Sequence, residues 1–417
     1  MTHALLGNRN FLLLWQGQFV SQLGSQAFFI AMMFWATQAT GSAAQVGLLM
    51  MFYTIPTVVL APLGGVIADR HSRRNLLIVA DALSGALVAV PGIAMLSGEV
   101  PAPVLFALVG IAALGIGSLN AFFQPALSAA IPDIVPENHV VPANSAIQLN
   151  RQVTTFAGQA AGGLLYGLIG APLLFLFDAA SYLLSAVSET FIRLPARTAT
   201  GSAFSYRRFG QEIRAGFDFV WQRPGMRLLL LLAAAFNFLL APVFVLLPFY
   251  VTGTLGEAAF TYGAMVASLS LGAILGSLFA GAMNAHGRRR VLLVNGGMLA
   301  AALAMACLAL AGNSIAAGAL LLLAGASSGL VNILVFALFQ SATPADIRGR
   351  VMSVVITLSG GMAPLGMFVG GILGELSGNN APPVYAACGL SAAVLVMLVM
   401  NRASWRRFLS GTEIPVA

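Results

Sequence analysis

The chain has 417 residues, of which 59% are hydrophobic and only 8% charged, and its formal net charge is +7. A soluble globular protein carries about 25% charged residues, because its surface must be solvated by water. Together with a mean hydropathy of +0.90, this composition excludes most soluble enzymes, nucleic-acid binders and secreted scaffolds. It indicates an integral membrane protein.

Long apolar stretches follow one another along the whole chain. A bilayer core about 30 Å thick requires roughly 20 apolar residues per helix, and twelve stretches meet that length. Because the runs are long and do not alternate, they predict helices rather than the strands of a barrel, and the predicted fold class is an all-α integral membrane protein with twelve transmembrane helices. The predicted spans are 11–37, 44–68, 75–96, 103–128, 143–169, 172–194, 226–253, 258–283, 291–312, 315–340, 351–376 and 384–401.

The basic residues are all arginines, 20 in number, and all but Arg151 lie outside the predicted spans or within two residues of their ends. If twelve helices alternate in direction, these flanking arginines all lie on one side of the membrane. The loops of the other side, 38–43, 97–102, 253–257 and 377–383, contain no arginine. The positive-inside rule then places both termini in the cytoplasm. Since the positive charge marks one side of a membrane, we expect no nucleic-acid partner.

The connection between spans 6 and 7 is polar, but its apolar residues Phe209, Ile213, Phe217 and Val220 recur at helical spacing. This pattern predicts an amphipathic helix on the cytoplasmic surface. The predicted domains are therefore an N-terminal six-helix bundle (1–194), a cytoplasmic linker (195–225) and a C-terminal six-helix bundle (226–417).

A weak internal repeat relates the two halves. The loop after span 2 contains Asp69, Arg70, Arg73 and Arg74, and 215 residues later the loop after span 8 contains Asn284, Arg288 and Arg289. Six plus six spans in a parallel repeat is the arrangement of rocking secondary transporters, which bind substrate near the membrane midplane.

The loop after span 2 carries a resemblance to a known family. Gly65, Ala68, Asp69, Arg70, Arg73 and Arg74 match the loop signature of the major facilitator superfamily, and the chain resembles that family over essentially its whole length. The resemblance implies a conformational latch at the cytoplasmic ends of the two halves, with Asp69 facing the start of span 11 near Val351. The latch residues implied are Gly65, Asp69, Arg70, Arg73, Arg74, Asn284, Arg288, Arg348 and Arg350. The alternative is that Arg70, Arg73 and Arg74 only set the topology.

Further motifs are similar to the branch of that family that holds macrolide exporters and siderophore (enterobactin) exporters. They are Asn8-Arg9-Asn10-Phe11 before span 1, Ala143-Asn144 at the start of span 5 and Arg348-Gly-Arg350-Val-Met-Ser353 at the start of span 11. This resemblance implies export of a bulky amphiphilic small molecule, an antibiotic or a siderophore, across the bacterial cytoplasmic (inner) membrane by alternating access. We expect proton antiport, a monomer and no cofactor. Gln159 replaces the proline of the family's antiporter motif, and Ile111 stands where proton-linked drug antiporters of other branches carry an arginine.

Arg151 is the most conspicuous polar residue inside a predicted span. It shares one face of span 5 with Gln148, Gln152, Thr155 and Gln159. An ionisable group inside a bilayer is costly unless it is paired or hydrated, so it is a functional candidate by default. Arg151 is predicted to be a cavity cation for an anionic substrate group or a coupling carboxylate; the alternative is a structural ion pair.

Two carboxyls are candidates for proton coupling. Asp178 lies a few residues into span 6 from the outer side, where its alternative role is a structural hydrogen bond. Glu375 ends span 11 at the outer face, and its alternative roles there are to act as a gate or to be hydrated without a function in transport. Asp81 and Glu189 lie near cytoplasmic ends, so solvated or latch-pairing roles are predicted for them.

The predicted substrate cavity draws on polar residues of several spans, since spans 1, 4, 7 and 10 line the cavity in the family that the chain resembles. The cavity residues proposed are Gln18, Gln22, Asn120, Gln124, Gln148, Arg151, Gln152, Asn237 and Asn332.

An enzyme is the alternative from another class. The four histidines, His3, His71, His139 and His286, are terminal or in loops, and the chain has neither an HExxH motif nor a Walker A sequence. We therefore predict that the chain is not an enzyme and binds no metal. Within transport, uptake or facilitated diffusion of a nutrient or a metal chelate stays open.

Overall fold

The protein is described here by a computed structural model. It describes residue 5 and residues 7–193, 206–283 and 285–412, apart from the side chains of Pro62, Asp69 and residues 206–209. Two parts of the predicted latch, Asn284 and the side chain of Asp69, therefore lie outside the described residues. The side chain of Phe209 does so too.

Helices occupy almost all of the described chain, and none of its residues lies in a β-strand. In chain order the helices are α1 (Arg9–Thr40), α2 (Ala43–Arg70), α3 (Arg73–Ser97), α4 (Ala102–Ile134), α5 (Val140–Thr190), α6 (Tyr206–Trp221), α7 (Pro224–Leu240), α8 (Pro242–Phe249), α9 (Ala259–Met283), α10 (Gly287–Cys307), α11 (Ser314–Ser341), α12 (Arg348–Gly360), α13 (Met362–Leu376), α14 (Ala381–Met400) and α15 (Ala403–Ser410). The predicted all-α fold class is confirmed. A helix in the linker is also found, as α6, whereas its position on the cytoplasmic surface stays a prediction.

Capping residues explain several helix ends. Asn8, Ser72 and Asn313 each accept a hydrogen bond from a backbone N–H three residues on, over 3.1, 3.4 and 2.8 Å. Such side chains satisfy donors that have no partner inside the helix. At its other end α1 stops at Gly41, whose φ of 61° is the left-handed conformation that glycine adopts at low cost.

Eleven helical segments of the described residues are long and apolar enough to cross a membrane. They overlie the predicted spans with one difference: spans 5 and 6 fall in a single segment, Glu137–Thr190. The count of twelve spans thus stays a prediction.

Helix α5 contains two antiparallel stretches. Gly170 in its interior has φ 75° and ψ 174°, which is not a helical conformation. Contacts with α1 advance in the same direction before Gly170, as the pairs Trp15 with Asn150, Gln26 with Gln159 and Gln38 with Tyr166 show. They run in the opposite direction after it, in the pairs Leu13 with Ser188, Ser25 with Asp178 and Phe28 with Phe175. The chain therefore reverses at Gly170.

The chain forms two compact units. The first consists of Met1–Gly41, Leu48–Phe204 and Ala258–Ala267, and the second of Ser42–Gly47, Ser205–Glu257 and Ser268–Ala417. In the first unit α1 packs along both stretches of α5, and Phe28 meets Phe175 edge to face with ring centroids 4.7 Å apart. In the second unit Trp405 is fully buried and its indole N–H donates to Asn295 Oδ1 over 2.9 Å. The predicted domain boundaries stay predictions.

Glycines allow two helices of the second unit to touch backbone to backbone. A Cβ on Gly272 or Gly276 of α9 would overlap the carbonyl oxygen of Leu322 or Ala326 on α11. Reciprocally, a Cβ on Gly325 or Gly329 of α11 would overlap backbone atoms of α9. Small residues at this spacing are typical of close helix contacts in membranes.

We expect Gly276→Ala to lower the free energy of unfolding by about 1–3 kcal/mol, because the new methyl group must push α9 and α11 apart. Gly281→Ala is the matched control on the same helix, since a Cβ there has no atom within 4 Å. Thermal unfolding of the purified variants in detergent measures the difference. Equal melting temperatures for the two variants would contradict the assigned contact.

Candidate functional site

A polar cavity of about 220 Å³ lies within the first unit. Helices α1 to α5 all contribute to its wall. The polar residues that line it are Gln18, Ser21, Gln22, Ser25, Gln26, Tyr53, Asp81, Ser84, Asn120, Gln124, Arg151, Thr155 and Tyr182. Five of the predicted cavity residues are therefore brought together here, namely Gln18, Gln22, Asn120, Gln124 and Arg151.

Amide side chains of α1 form one wall of the cavity. Gln18, Gln22 and Ser25 are four and three residues apart, so they share a helix face. The amide N–H of Gln22 donates to Gln18 Oε1 over 3.3 Å, and Gln22 Oε1 accepts from the hydroxyl of Thr154 over 3.2 Å. This chain of hydrogen bonds fixes the orientation of the amides toward the cavity.

Arg151 supplies the positive charge of the cavity. Its Nη2 donates to Gln124 Oε1 on α4 over 2.6 Å. No carboxylate of the described residues forms an ion pair with Arg151, so the alternative of a structural ion pair has no partner in that part of the chain. A neutral amide positions the guanidinium without cancelling its charge, and four of its five N–H groups are left to bind other groups.

Among the described side chains of the first unit, three carboxyls are buried. The exposed fractions are 3% for Asp81, 0% for Asp178 and 1% for Glu189. The solvated role predicted for Asp81 and Glu189 is therefore wrong, because α3 packs against the second stretch of α5 and both side chains are buried; a Cβ on Gly85 would lie only 3.0 Å from the carbonyl oxygen of Ala179. The latch-pairing role stays a prediction. One oxygen of each carboxyl, Asp81 Oδ2, Asp178 Oδ2 and Glu189 Oε2, is buried and has no hydrogen-bond partner.

Two of these carboxyls are hydrogen-bonded through their other oxygen. Asp178 Oδ1 accepts from the hydroxyls of Ser25, over 3.2 Å, and Ser181, over 3.3 Å. Glu189 Oε1 accepts from the amide of Gln18 over 3.5 Å. Because Ser25 and Gln18 line the cavity, Asp178 and Glu189 lie directly behind its wall, whereas Asp81 is part of the wall.

Asp81, Ser84, Tyr53 and Tyr182 are lining residues that the sequence-based cavity did not include. For span 6, which contains Tyr182, the sequence does carry a pattern that indicates a polar face turned into the protein. Asp178, Ser181, Ser185 and Glu189 are three and four residues apart, which is the spacing of a polar helix face. Such a face predicts inward orientation even near the end of a span.

The other four predicted cavity residues do not line this cavity. Gln148, Asn237 and Asn332 are exposed and Gln152 is half-buried. The amide of Asn237 donates to the carbonyl of Ala233 in its own helix over 3.0 Å. A role for these residues in substrate binding stays a prediction.

Two arginines of the predicted latch bind the ends of helices within the first unit. Arg73 Nη1 lies 2.6 Å from both Asp133 Oδ2 and the carbonyl oxygen of Ala129 on α4. Arg74 donates to the carbonyls of Glu189 and Thr190 at the end of α5. Cations are favourable at helix C-termini, because the last carbonyls lack helical partners and carry partial negative charge.

Arg350 of the predicted latch contacts the linker helix. Arg350 Nη2 lies 3.9 Å from Glu212 Oε1 on α6. The backbones are also close, since a Cβ on Gly216 of α6 would lie 2.7 Å from the carbonyl oxygen of Arg350. The guanidinium of Arg348 donates to the carbonyl of Thr343 over 3.4 Å. Arg70 and Arg288 are exposed, and Gly65 is half-buried. A latch function for any of these residues stays a prediction.

Glu375 caps the beginning of α2 within the second unit. Its Oε2 accepts from the hydroxyl of Ser42 and from the backbone N–H of Ala44, the latter over 3.2 Å. Asn379 Oδ1 accepts from the backbone N–H of Ala43 over 3.2 Å. The N-terminus of α2 is thus bound by side chains from the end of α13 and the turn that follows it.

The eleven apolar segments of membrane-spanning length in the described residues are typical of a multi-pass integral membrane protein. A family model described as "Transmembrane secretion effector" matches residues 1–409. The chain belongs to this family of major facilitator superfamily transporters, which are not enzymes. The predicted family and the prediction that the chain is a transporter are confirmed.

Two curated relatives are efflux proteins. The chain is 24% identical to macrolide efflux protein A of Streptococcus pyogenes, over 89% of this chain and 90% of the relative. It is 26% identical to the multidrug efflux pump Tap of Mycolicibacterium fortuitum, over 82% and 84%. Among solved structures, a mutant of the nucleoside transporter NupG superposes with a TM-score of 0.75 at 13% identity, over 94% of this chain and 100% of that one. At this identity the structural likeness shows the fold alone.

We expect Glu375→Gln to lower the free energy of unfolding by about 0.3–1 kcal/mol, because a carboxylate at a helix N-terminus is favoured by roughly this amount. Glu99→Gln is the matched control, since Glu99 is also exposed and follows the end of α3. Denaturation in detergent at low ionic strength measures the difference, which should shrink as salt is added. Equal stability of the two variants at low salt would contradict a contribution of the cap.

Proposed function

We propose that the protein exports a bulky amphiphilic small molecule, an antibiotic or other drug or a siderophore, by alternating access in exchange for protons. Two curated relatives with efflux in their names support the direction. The observation that carries the proposal is the polar cavity, whose Arg151 donates to the neutral amide of Gln124. The distribution of arginines supports a location in the bacterial inner membrane with both termini cytoplasmic. A monomer without a nucleic-acid partner completes the proposal.

The size of the cavity indicates how it is used. Pockets that enclose drug-sized ligands measure about 300–1,000 Å³, and this cavity measures about 220 Å³. It therefore takes one polar group of a large substrate rather than the whole molecule. Arg151 would donate to an oxygen of that group, and the amides of α1 offer both donors and acceptors beside it.

The substrate and the direction of transport are tested together in cells. Accumulation of a macrolide, of a catechol siderophore and of a cationic dye is compared between cells with and without the protein, before and after an uncoupler collapses the proton gradient. Export in exchange for protons predicts lower accumulation of at least one compound, lost when the gradient collapses. Higher accumulation with the protein would instead identify an importer or facilitator, and efflux that is unaffected by the uncoupler would exclude proton antiport.

Asp178 and Glu375 were predicted to carry the coupling proton. Both accept hydrogen bonds from hydroxyl groups, Asp178 from Ser25 and Ser181 and Glu375 from Ser42. A carboxyl that carries a coupling proton and a carboxyl with a purely structural role can both accept such hydrogen bonds. Their role in proton binding stays a prediction.

We expect Arg151→Ala to weaken binding of an exported compound roughly 10- to 100-fold, because a hydrogen bond to a charged group contributes about 1.5–3 kcal/mol. Arg151→Lys should retain part of the affinity. Arg214→Ala is the matched control, since the Arg214 side chain is 84% exposed on the linker helix. Binding to the purified protein and counterflow in proteoliposomes measure the effect. Unchanged binding and flux in Arg151→Ala would remove Arg151 from the substrate site.

A further inference from the structure

We propose that Asp81 is the carboxyl that binds the coupling proton, at the wall of the polar cavity. The inference rests on the proposed exchange of substrate for protons and names a residue for it. A solvated or latch-pairing role is the prediction for Asp81 from its place near the cytoplasmic end of its span. The side chain is instead one of three described carboxyls that are buried around a single cavity.

Access distinguishes Asp81 from the other two carboxyls. Asp81 lines the cavity although it is only 3% exposed. Asp178 and Glu189 are reached through Ser25 and Gln18, which stand between them and the cavity. A proton that arrives in the cavity therefore meets Asp81 first.

The contacts of Asp81 leave its charge uncompensated in the described part of the chain. No arginine of the described residues forms an ion pair with it, and its Oδ2 is buried without a hydrogen-bond partner. An ionised carboxylate in such a place is costly, whereas a bound proton removes the charge and adds an O–H donor. The hydroxyl of Ser185 lies beside Asp81 and is buried, so it can donate to the ionised carboxylate or accept from the O–H of the protonated one.

The charged and titratable groups around Asp81 come from three helices. The second stretch of α5 presents Asp178, Tyr182 and Glu189, its first stretch presents Arg151, and α2 presents Tyr53. The cavity residues of α1 and α4 are uncharged. Arg151 lines the cavity and is bound to Gln124, and Arg74 of α3 donates to the backbone carbonyl of Glu189. The three carboxyls outnumber these two arginines, and a proton on Asp81 reduces that excess of negative charge. Proton binding forms one O–H bond on the Asp81 carboxylate, release breaks the same bond, and nothing else changes covalently.

The test uses the proton alone as the probe. The purified full-length protein is reconstituted in proteoliposomes on a solid-supported membrane, and a jump in pH without any substrate displaces charge when a buried group binds or releases a proton. We expect this displacement in the wild type and in Asp81→Glu, and its loss to the level of empty liposomes in Asp81→Asn. Glu99→Gln is the carboxyl-to-amide control outside the cavity.

Two results would overturn the inference. One is that the charge displacement persists in Asp81→Asn, whether or not it is lost in Asp178→Asn. The other is that a jump in sodium concentration at constant pH produces the same displacement. If Asp81→Asn does not fold, the wild-type protein gives a second measurement. Dicyclohexylcarbodiimide reacts with protonated carboxyls in apolar surroundings, and peptide mapping should find it on Asp81, with less modification as the pH rises. Modification of Asp178 or Glu189 without Asp81 would likewise overturn the inference.

The failure of this inference and the failure of the proposed function are separable. Proton binding is measured without substrate, whereas export is measured in cells. If none of the compounds is exported but the displacement depends on Asp81, the proposed function fails and the proton site stands. If a compound is exported with the help of the proton gradient and Asp81→Asn keeps the displacement, the proposed function stands and the proton site at Asp81 fails.

Discussion

The constraint on which the structure depends is that a polar group inside a membrane must find a partner within the protein. Hydrocarbon offers no hydrogen bonds, so the backbone of every span becomes helical. The same constraint acts at helix ends, where Asn8 and Ser72 supply an acceptor and Arg74 a donor. It also explains why polar side chains inside the spans gather. Each of them is costly alone, and together they solvate one another around a cavity.

Helix geometry determines where that cavity forms. Gln18, Gln22 and Ser25 follow one face of α1, and Asp178 and Glu189 follow one face of the second stretch of α5. Reversal of the chain at Gly170 brings the first stretch of α5, with Arg151, beside the same face of α1. The charged side chains of one long helix therefore approach the same cavity from opposite directions, with Arg151 in its wall and Asp178 and Glu189 behind it. A straight helix would hold them far apart, since residues 151 and 189 would be about 57 Å from each other at 1.5 Å per residue.

The sequence was sufficient for the parts of this structure that depend on composition and period. Long apolar runs predicted the helices, and helical spacing predicted the polar face that carries Arg151. The resemblance to the family predicted that Gln18, Gln22, Asn120 and Gln124 line the same cavity. Composition and helical spacing do not predict which residues near the ends of spans are exposed. Asp81 and Glu189 are buried where α3 packs against α5, and these two segments are about a hundred residues apart in the sequence. Helical spacing also does not predict the orientation of single amides such as Asn237 and Asn332, since one polar residue defines no helix face.

Reciprocal linkage restricts what such a cavity can exchange. Antiport requires that proton binding weaken substrate binding, and each ligand must change the affinity of the other by the same factor. A proton on Asp81 makes the cavity more positive. It therefore strengthens the attraction of Arg151 for an anion and weakens the attraction of the cavity for a cation. Exchange against protons thus favours a substrate whose group near Asp81 is cationic, while Arg151 binds a neutral acceptor oxygen. An anionic group on Arg151 would bind together with the proton, and the same side chains would then support cotransport.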